Sequence, residues 1–167
     1  EAVRRLCTTC WRSGFWSRSS ELIKHGDASA DNVMVRGATL SIFPIEDLSV
    51  EVGRTWTEAE DNAGHYVAVI GADIVKNLFA GAPAESAVGS EIRVRGSVVR
   101  VIGVAAQQGT IFGVSRDNFV MVPYQTAAKI IPRRDSLIVD FQVRDASELE
   151  SAKDQVTAIM REGGYKV

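Results

Sequence analysis

The two ends of this chain follow one pattern and its middle follows another, and that arrangement narrows the possible folds more than any single motif does. At the start, Glu1 to about Cys10 reads as a short helix with Val3 and Leu6 on one face. A strand-like segment from Trp11 to His25, broken at Gly14, follows it. A turn at Gly26-Asp27 leads into Asn32 to Arg36, where Val33 and Val35 alternate with polar neighbours as in a half-buried strand. At the finish, Leu137 to Val143 reads as a strand and Ser147-x-x-Glu150 as a capping box opening a helix through Arg161. Its apolar stripe is Leu149, Ala152, Val156, Ile159 and Met160. Gly163-Gly164 closes it, and Tyr165 to Val167 is expected to begin another strand.

Between these ends the elements are shorter. Leu40 to Leu48 is mixed and contains Pro44, and Thr57-Glu-Ala-Glu-Asp reads as a turn of helix or a capped loop. Tyr66 to Ile70, bounded by Gly64 and Gly71, is a buried strand that passes into a helix over Asp73 to Phe79. Glu91 to Arg95 and Val98 to Val104 flank Gly96-Ser97 as a hairpin, with Ile92 and Val94 inward and Arg93 and Arg95 outward. Gln107 to Asn118 is a loop containing Ile111 and Phe112. Phe119 to Val122 is a strand, and Thr126 to Ile131 is a short helix ahead of Pro132-Arg133-Arg134. Ends of one pattern around a foreign middle predict an α+β fold of two lobes. Residues 1–39 and 135–167 form a split β-α-β lobe, and 40–134 form a smaller mixed lobe inserted into it.

The composition suits a packed domain, with 46% hydrophobic residues in a chain of 167. Lys plus Arg (19) nearly balances Asp plus Glu (21), and no basic tract is present to follow phosphates, so nucleic acid is not an expected partner. The longest apolar stretches, Val67 to Ile70 and Val98 to Val104, fall far short of the roughly 20 residues of a membrane-crossing helix. The start does not read as a signal peptide, so the chain is expected to be either cytoplasmic or a piece of something longer.

Cys7 and Cys10 are the only cysteines. Two thiols cannot close a four-ligand zinc site, and His25 and His65 lack ligand spacing. A redox Cys-x-x-Cys needs its first thiol at a helix N-terminus, whereas here a helical run precedes Cys7. A local disulfide and a pair of partly buried free thiols both stay open.

The residues also carry a family resemblance. Asn32-Val-Met-Val-Arg-Gly-Ala-Thr, Gly53-Arg-Thr-Trp-Thr-Glu-Ala-Glu-Asp, and Val67-Ala-Val-Ile-Gly followed by Leu78-Phe79 occur in that order. Val88-Gly-Ser-Glu-Ile-Arg-Val-Arg-Gly, Val99-Arg-Val-Ile-Gly-Val, Phe112-Gly-x-Ser-x-Asp and Val122-Pro-Tyr-Gln-Thr-Ala come after them. Each block is only a turn or a strand edge, but the series resembles the successive blocks of MacB-like (FtsX-like) ABC-transporter permease extracytoplasmic core domains over essentially the whole chain. The resemblance implies a porter-like lobe with an inserted lobe, held outside the bacterial inner (cytoplasmic) membrane between the first two of four membrane helices. It implies an ATP-binding subunit or domain elsewhere in the transporter, a second permease protomer, and in tripartite pumps a periplasmic adaptor (membrane fusion) protein. The chain departs from the family in lacking the strand that should lead into Glu1 and in the aromatic weight of Trp11, Phe15 and Trp16 beside the cysteines.

Catalytic and cofactor motifs are missing: no Gly-x-Ser-x-Gly, no His-Glu-x-x-His, and no Lys-Ser/Thr after Gly109 to Gly113 for a phosphate loop. Glu58, Glu60 and Asp61 read as a solvated helix start and His65 as a surface histidine. The expected function is therefore non-enzymatic, with no cofactor and no metal, and the resemblance implies that it couples ATP-driven motion to partner docking and export. The alternatives are a cargo-binding domain of a lipoprotein- or hydrophobic-ligand-handling permease, and an enzyme using Cys7 or His65. The candidate partner-binding residues are Ile111, Phe112 and Arg116 on the 107–118 loop, with Phe112 either an anchor for a partner or a plug for the inserted lobe.

Overall fold

Alternation decides most of the architecture. In strand after strand, one set of side chains turns to a common core and the other to a second layer or to water. The computed structural model describes residues 1–132 and 136–167. The expected limit at Arg134, between the middle and the last segment, lies outside them. In chain order the first elements are α1 (Ala2–Leu6), β1 (Cys10–His25), β2 (Ala28–Ala38), α2 (Ile42–Ile45) and β3 (Val50–Gly53). Next come α3 (Glu58–Ala63), β4 (Val67–Ile70), α4 (Ala72–Leu78), α5 (Ala84–Ala87), β5 (Glu91–Val94) and β6 (Ser97–Ala105). The rest are β7 (Thr110–Ile111), β8 (Val114–Ser115), β9 (Phe119–Pro123), α6 (Tyr124–Ile130), β10 (Leu137–Val143) and α7 (Leu149–Glu162).

The main sheet runs β10-β1-β2-β9-β4-β6-β3, and β5 bridges β1 and β6. That bridge closes a ring through β1, β2, β9, β4, β6 and β5. Besides β2, β1 pairs with β10 from Cys10 to Ser17 and with β5 at Ile23 and Lys24. The connection from β2 to β9 is parallel, as is that from β4 to β6, and the other pairings around the ring are antiparallel. Inside the ring lie Ile23, Val33, Val35, Ile70, Ile92, Val94, Val99, Val101, Val120 and Val122. Helices α4 and α6 add Ile74, Leu78, Ala127 and Ile130 to the same cluster. The opposite faces of β4 and β9 give Val69 and Met121 to a second cluster, with Ile42, Phe43 and Trp56. A third cluster joins α1 to α7 through Val3, Cys7, Ala152 and Val156, over the flanking β10 residues Val139, Phe141 and Val143.

The structure departs from the sequence reading at several points. Gly14 does not break β1: the strand runs through it, and a Cβ there would press on the Ser41 hydroxyl at 2.5 Å, so glycine is needed for the close approach of α2. The β5–β6 turn sits one residue earlier than Gly96-Ser97, at Arg95 and Gly96, both at positive φ. Ser147 does not cap α7. Instead the Asp145 carboxylate accepts from the Ser147 N–H at 2.9 Å and starts a 3-10 turn over Ala146–Glu148, which passes into the helix. Tyr165 to Val167 form no strand, because the Tyr165 N–H turns back to the Met160 carbonyl at 3.0 Å.

Candidate functional site

The 107–118 segment folds as a small hairpin. β7 and β8 pair antiparallel, Ile111 opposite Val114, around a two-residue turn of Phe112 and Gly113. Both turn residues have positive φ (50° and 77°), the type I′ arrangement that matches strand twist. Asn, Asp and Gly are the usual occupants of such a turn, and a phenylalanine there is strained. Phe112 is nevertheless fully exposed at the tip, flanked by exposed Ile111 and Val114. Arg116 is exposed at the foot, and its N–H donates to the Gly109 carbonyl. Ile111 thus lies in a regular strand, although its glycine-flanked position pointed to an irregular loop.

The foot of the hairpin is fastened by Asp117, which is 2% exposed. Its carboxylate accepts from the Gln108 N–H at 2.8 Å and the Gly109 N–H at 2.9 Å, and its own N–H donates to the Ser115 hydroxyl. Its carbonyl accepts from the Asp73 N–H at the start of α4. The carbonyl also lies so close to Gly71 that a Cβ there would collide with it. Sequence reading singled out Ile111, Phe112 and Arg116 but gave no role to Val114 or Asp117. The Phe-Gly pair between Ile111 and Val114 is the two-residue turn signal that could have found the hairpin.

A second cluster sits where four elements meet. Arg36 of β2 forms a bidentate pair with Glu46 at the end of α2 (2.8 and 2.6 Å), and its guanidinium stacks over the Trp16 ring of β1 at 3.9 Å. The Trp16 indole N–H donates to Asp140 of β10 at 2.9 Å. Burial is the first cause raising Asp140 above the usual carboxylate range, and the neighbouring Glu46 carboxyl adds to it.

The middle segment and the β1–β10 face also enclose a cleft of about 670 Å³, lined among others by Phe15, Leu40, Asp61, Tyr124, Val139 and Met160. Phe15 and Tyr124 meet edge to face at 4.6 Å. Asp61 is raised by burial, opposed by the Gln125 and Tyr124 backbone N–H groups. Glu60 is engaged twice. It pairs with Arg54 at 2.8 and 2.9 Å and completes the Thr57 capping box, and these hydrogen bonds lower its carboxyl to about 2. His65 is exposed, and among the described residues no group of acidic, histidine or cysteine side chains could hold a metal ion. The Cys7 and Cys10 sulfurs are joined in a disulfide between α1 and β1.

Comparison with known proteins places this geometry. The model of the MacB-like periplasmic core domain matches residues 13–159. A macrolide export ATP-binding/permease protein of Bdellovibrio bacteriovorus is 31% identical over 130 residues, which is 77% of this chain and 20% of that protein. A pyoverdine export ATP-binding/permease protein of Pseudomonas aeruginosa is 30% identical over 127 residues, 74% of this chain and 19% of that protein. The chain thus spans about a fifth of the length of these relatives. In fold it resembles the extracellular domain of the ABC-type transporter YknZ from Gram-positive bacteria, with a TM-score of 0.81, 19% identity, and coverage of 99% of this chain and 83% of the other. It also resembles the periplasmic region of MacB from Actinobacillus actinomycetemcomitans, with a TM-score of 0.78, 21% identity, and coverage of 99% and 74%.

Proposed function

The chain belongs to the MacB-like periplasmic core domain family, and we propose that it passes ATP-driven motion of its transporter to a partner docked outside the inner membrane. It is the periplasmic domain of a MacB-like ABC-transporter permease, and among its described residues no helix is long and apolar enough to cross a membrane. The observation that carries the reading is the double use of β1. Its first half is hydrogen-bonded to β10, under α1 and α7, and its far end closes the ring. In this reading the first and last segments make one lobe and the middle segment the other, and the two are joined by hydrogen bonds, since β1 pairs with both β10 and β5 and β2 pairs with β9. A displacement at the α1–α7 end travels along paired backbone into the ring. Movement of a hydrogen-bonded strand as a unit costs less than breaking its ladder.

The ring holds the hairpin through Asp117, and the hairpin presents Ile111, Phe112 and Arg116 to an adaptor protein or a second permease protomer. ATP is handled by a subunit or domain elsewhere in the transporter. Phe112→Ala in the full-length permease tests this reading. Melting temperature is expected to stay unchanged, because a fully exposed side chain contributes less than about 1 kcal/mol to stability, while export falls. A destabilised domain with undiminished export would overturn it. A second reading, cargo binding, is favoured by the cleft beside Phe15 and Tyr124. It requires that Leu40→Glu abolish binding of a hydrophobic fluorescent probe to the domain without unfolding it.

A further inference from the structure

We infer that the β7–β8 hairpin is a preformed peg, held in a strained shape by Asp117, that fits an apolar socket on a partner protein with an acidic group at its rim; this rests on the docking reading above. Two preferences of a folding chain are violated at one residue. Phe112 has a φ of 50° where Asn or Gly would be relaxed, and its ring is entirely in solvent. Such local conflicts collect at functional sites, since nothing in the free domain rewards them. Val114 and Ile111 extend the same apolar surface on either side of the turn.

The size and chemistry of the tip select its occupant. Three side chains of this kind present on the order of 400 Å², about half of the roughly 800 Å² that each partner contributes to a stable interface. Two copies meeting tip to tip would therefore be held weakly, whereas a projecting knob that fills a concave apolar pocket is desolvated on all sides and can dominate binding from a small area. The segment from Thr110 to Ser115 carries no charge, and the chain is net acidic (−2), so little draws it to an anionic lipid surface. Arg116 is exposed at the foot, a cation placed to meet a carboxylate at the rim of a socket.

Asp117 is a positioning residue. Its carboxylate holds the Gln108 and Gly109 N–H groups, its N–H reaches Ser115, and its carbonyl holds Asp73 on α4. Both legs of the hairpin are thereby tied to an element whose Ile74 and Leu78 are buried in the ring core. A peg immobilised before binding loses less entropy on docking than a mobile loop does.

The test places a photoreactive amino acid at Val114 of the full-length permease in the host that encodes it. Phe112→Asn, which supplies the Asn-Gly pair a type I′ turn prefers, is expected to raise the melting temperature of the domain while cutting the photoadduct about tenfold or more. Asp117→Ala is expected to speed amide exchange at Gln108 and Gly109 and to cut the same adduct. Should that variant fail to fold, Ser115→Ala, which removes only the hydroxyl that Asp117 N–H reaches, takes its place. An adduct with a peptide lining an apolar pocket of a partner protein, lost in both kinds of variant, establishes the peg. An adduct with lipid or with a second permease copy overturns the assignment of partner. An adduct insensitive to loosening the foot but lost with Phe112→Asn overturns the positioning role and leaves docking standing. An adduct insensitive to Phe112→Asn overturns the docking reading itself.

Discussion

Arg36→Met is the substitution that most directly tests whether β1, β2, α2 and β10 are mechanically joined at this cluster. Arg36 is almost enclosed, with its side chain 11% exposed against 27% for Glu46, and both guanidinium N–H contacts to that carboxylate are short. A hydrogen bond to a charged group contributes about 1.5–3 kcal/mol, and stacking over an aromatic ring about 0.5–1 kcal/mol. Methionine keeps part of the packing against Trp16, so the net loss near pH 8 is expected at about 2–3 kcal/mol. The pH dependence carries the sharper signature. Asp140 is raised in the folded state, first by burial and then by Glu46. Its favourable contribution is therefore present below the unfolded carboxylate value of about 3.9 and is lost as pH rises through the folded value. Without Arg36 the two carboxylates lose their shared cation and repel more strongly when both are ionised. The deficit of the variant should accordingly grow with pH. Urea unfolding followed by tryptophan fluorescence at pH 4.5 and pH 8 reads both quantities. An equal loss at the two pH values, or a loss under about 1 kcal/mol at pH 8, would refute the claim that this cluster ties β2, α2 and β10 together.

Trp56 is 1% exposed, packs edge to face on Phe43 at 5.1 Å, and its indole N–H is buried with no hydrogen-bond partner among the described residues. Trp56→Ala should cost about 3–5 kcal/mol, whereas Trp56→Phe should cost far less, because it also removes a buried orphan donor whose penalty is about 1–3 kcal/mol; denaturant midpoints compare the two. Glu60 should titrate at about 2 by carboxyl carbon NMR, held down first by Arg54 and then by the Thr57 N–H. Its stabilising contribution is present above the unfolded value of about 4.3 and is lost as pH falls through the folded one. In Arg54→Met the midpoint should move back toward that value, and an unchanged midpoint would remove Arg54 as the cause.

Short-range regularities settled a good part of this molecule before any coordinates. The alternation of Ile92 and Val94 ahead of a glycine turn, the apolar run Val67–Ile70 leading into α4, and the stripe of Ala152 and Val156 on α7 are each local patterns. A chain with such patterns has few other ways to bury those side chains. The sequence left Phe112 open between an exposed anchor and a plug, and only the folded hairpin places its ring in solvent. What lay beyond reach depended on residues far apart in the chain. Nothing in the neighbourhood of Ile23 announces its pairing with Val94, and nothing near Met34 announces a parallel partner at Phe119. The ring that closes through those pairs exists only once every strand is present. The Arg36, Glu46, Trp16 and Asp140 cluster draws on four elements in the same way, so no spacing rule could assemble it. Asp117 stood in plain view as one acid in a loop, and its role appeared only when folding brought the start of α4 against its carbonyl. Local periodicity reports which face of an element must be dry. Which dry faces meet, and which polar groups are trapped between them, is decided by the packing of the whole chain.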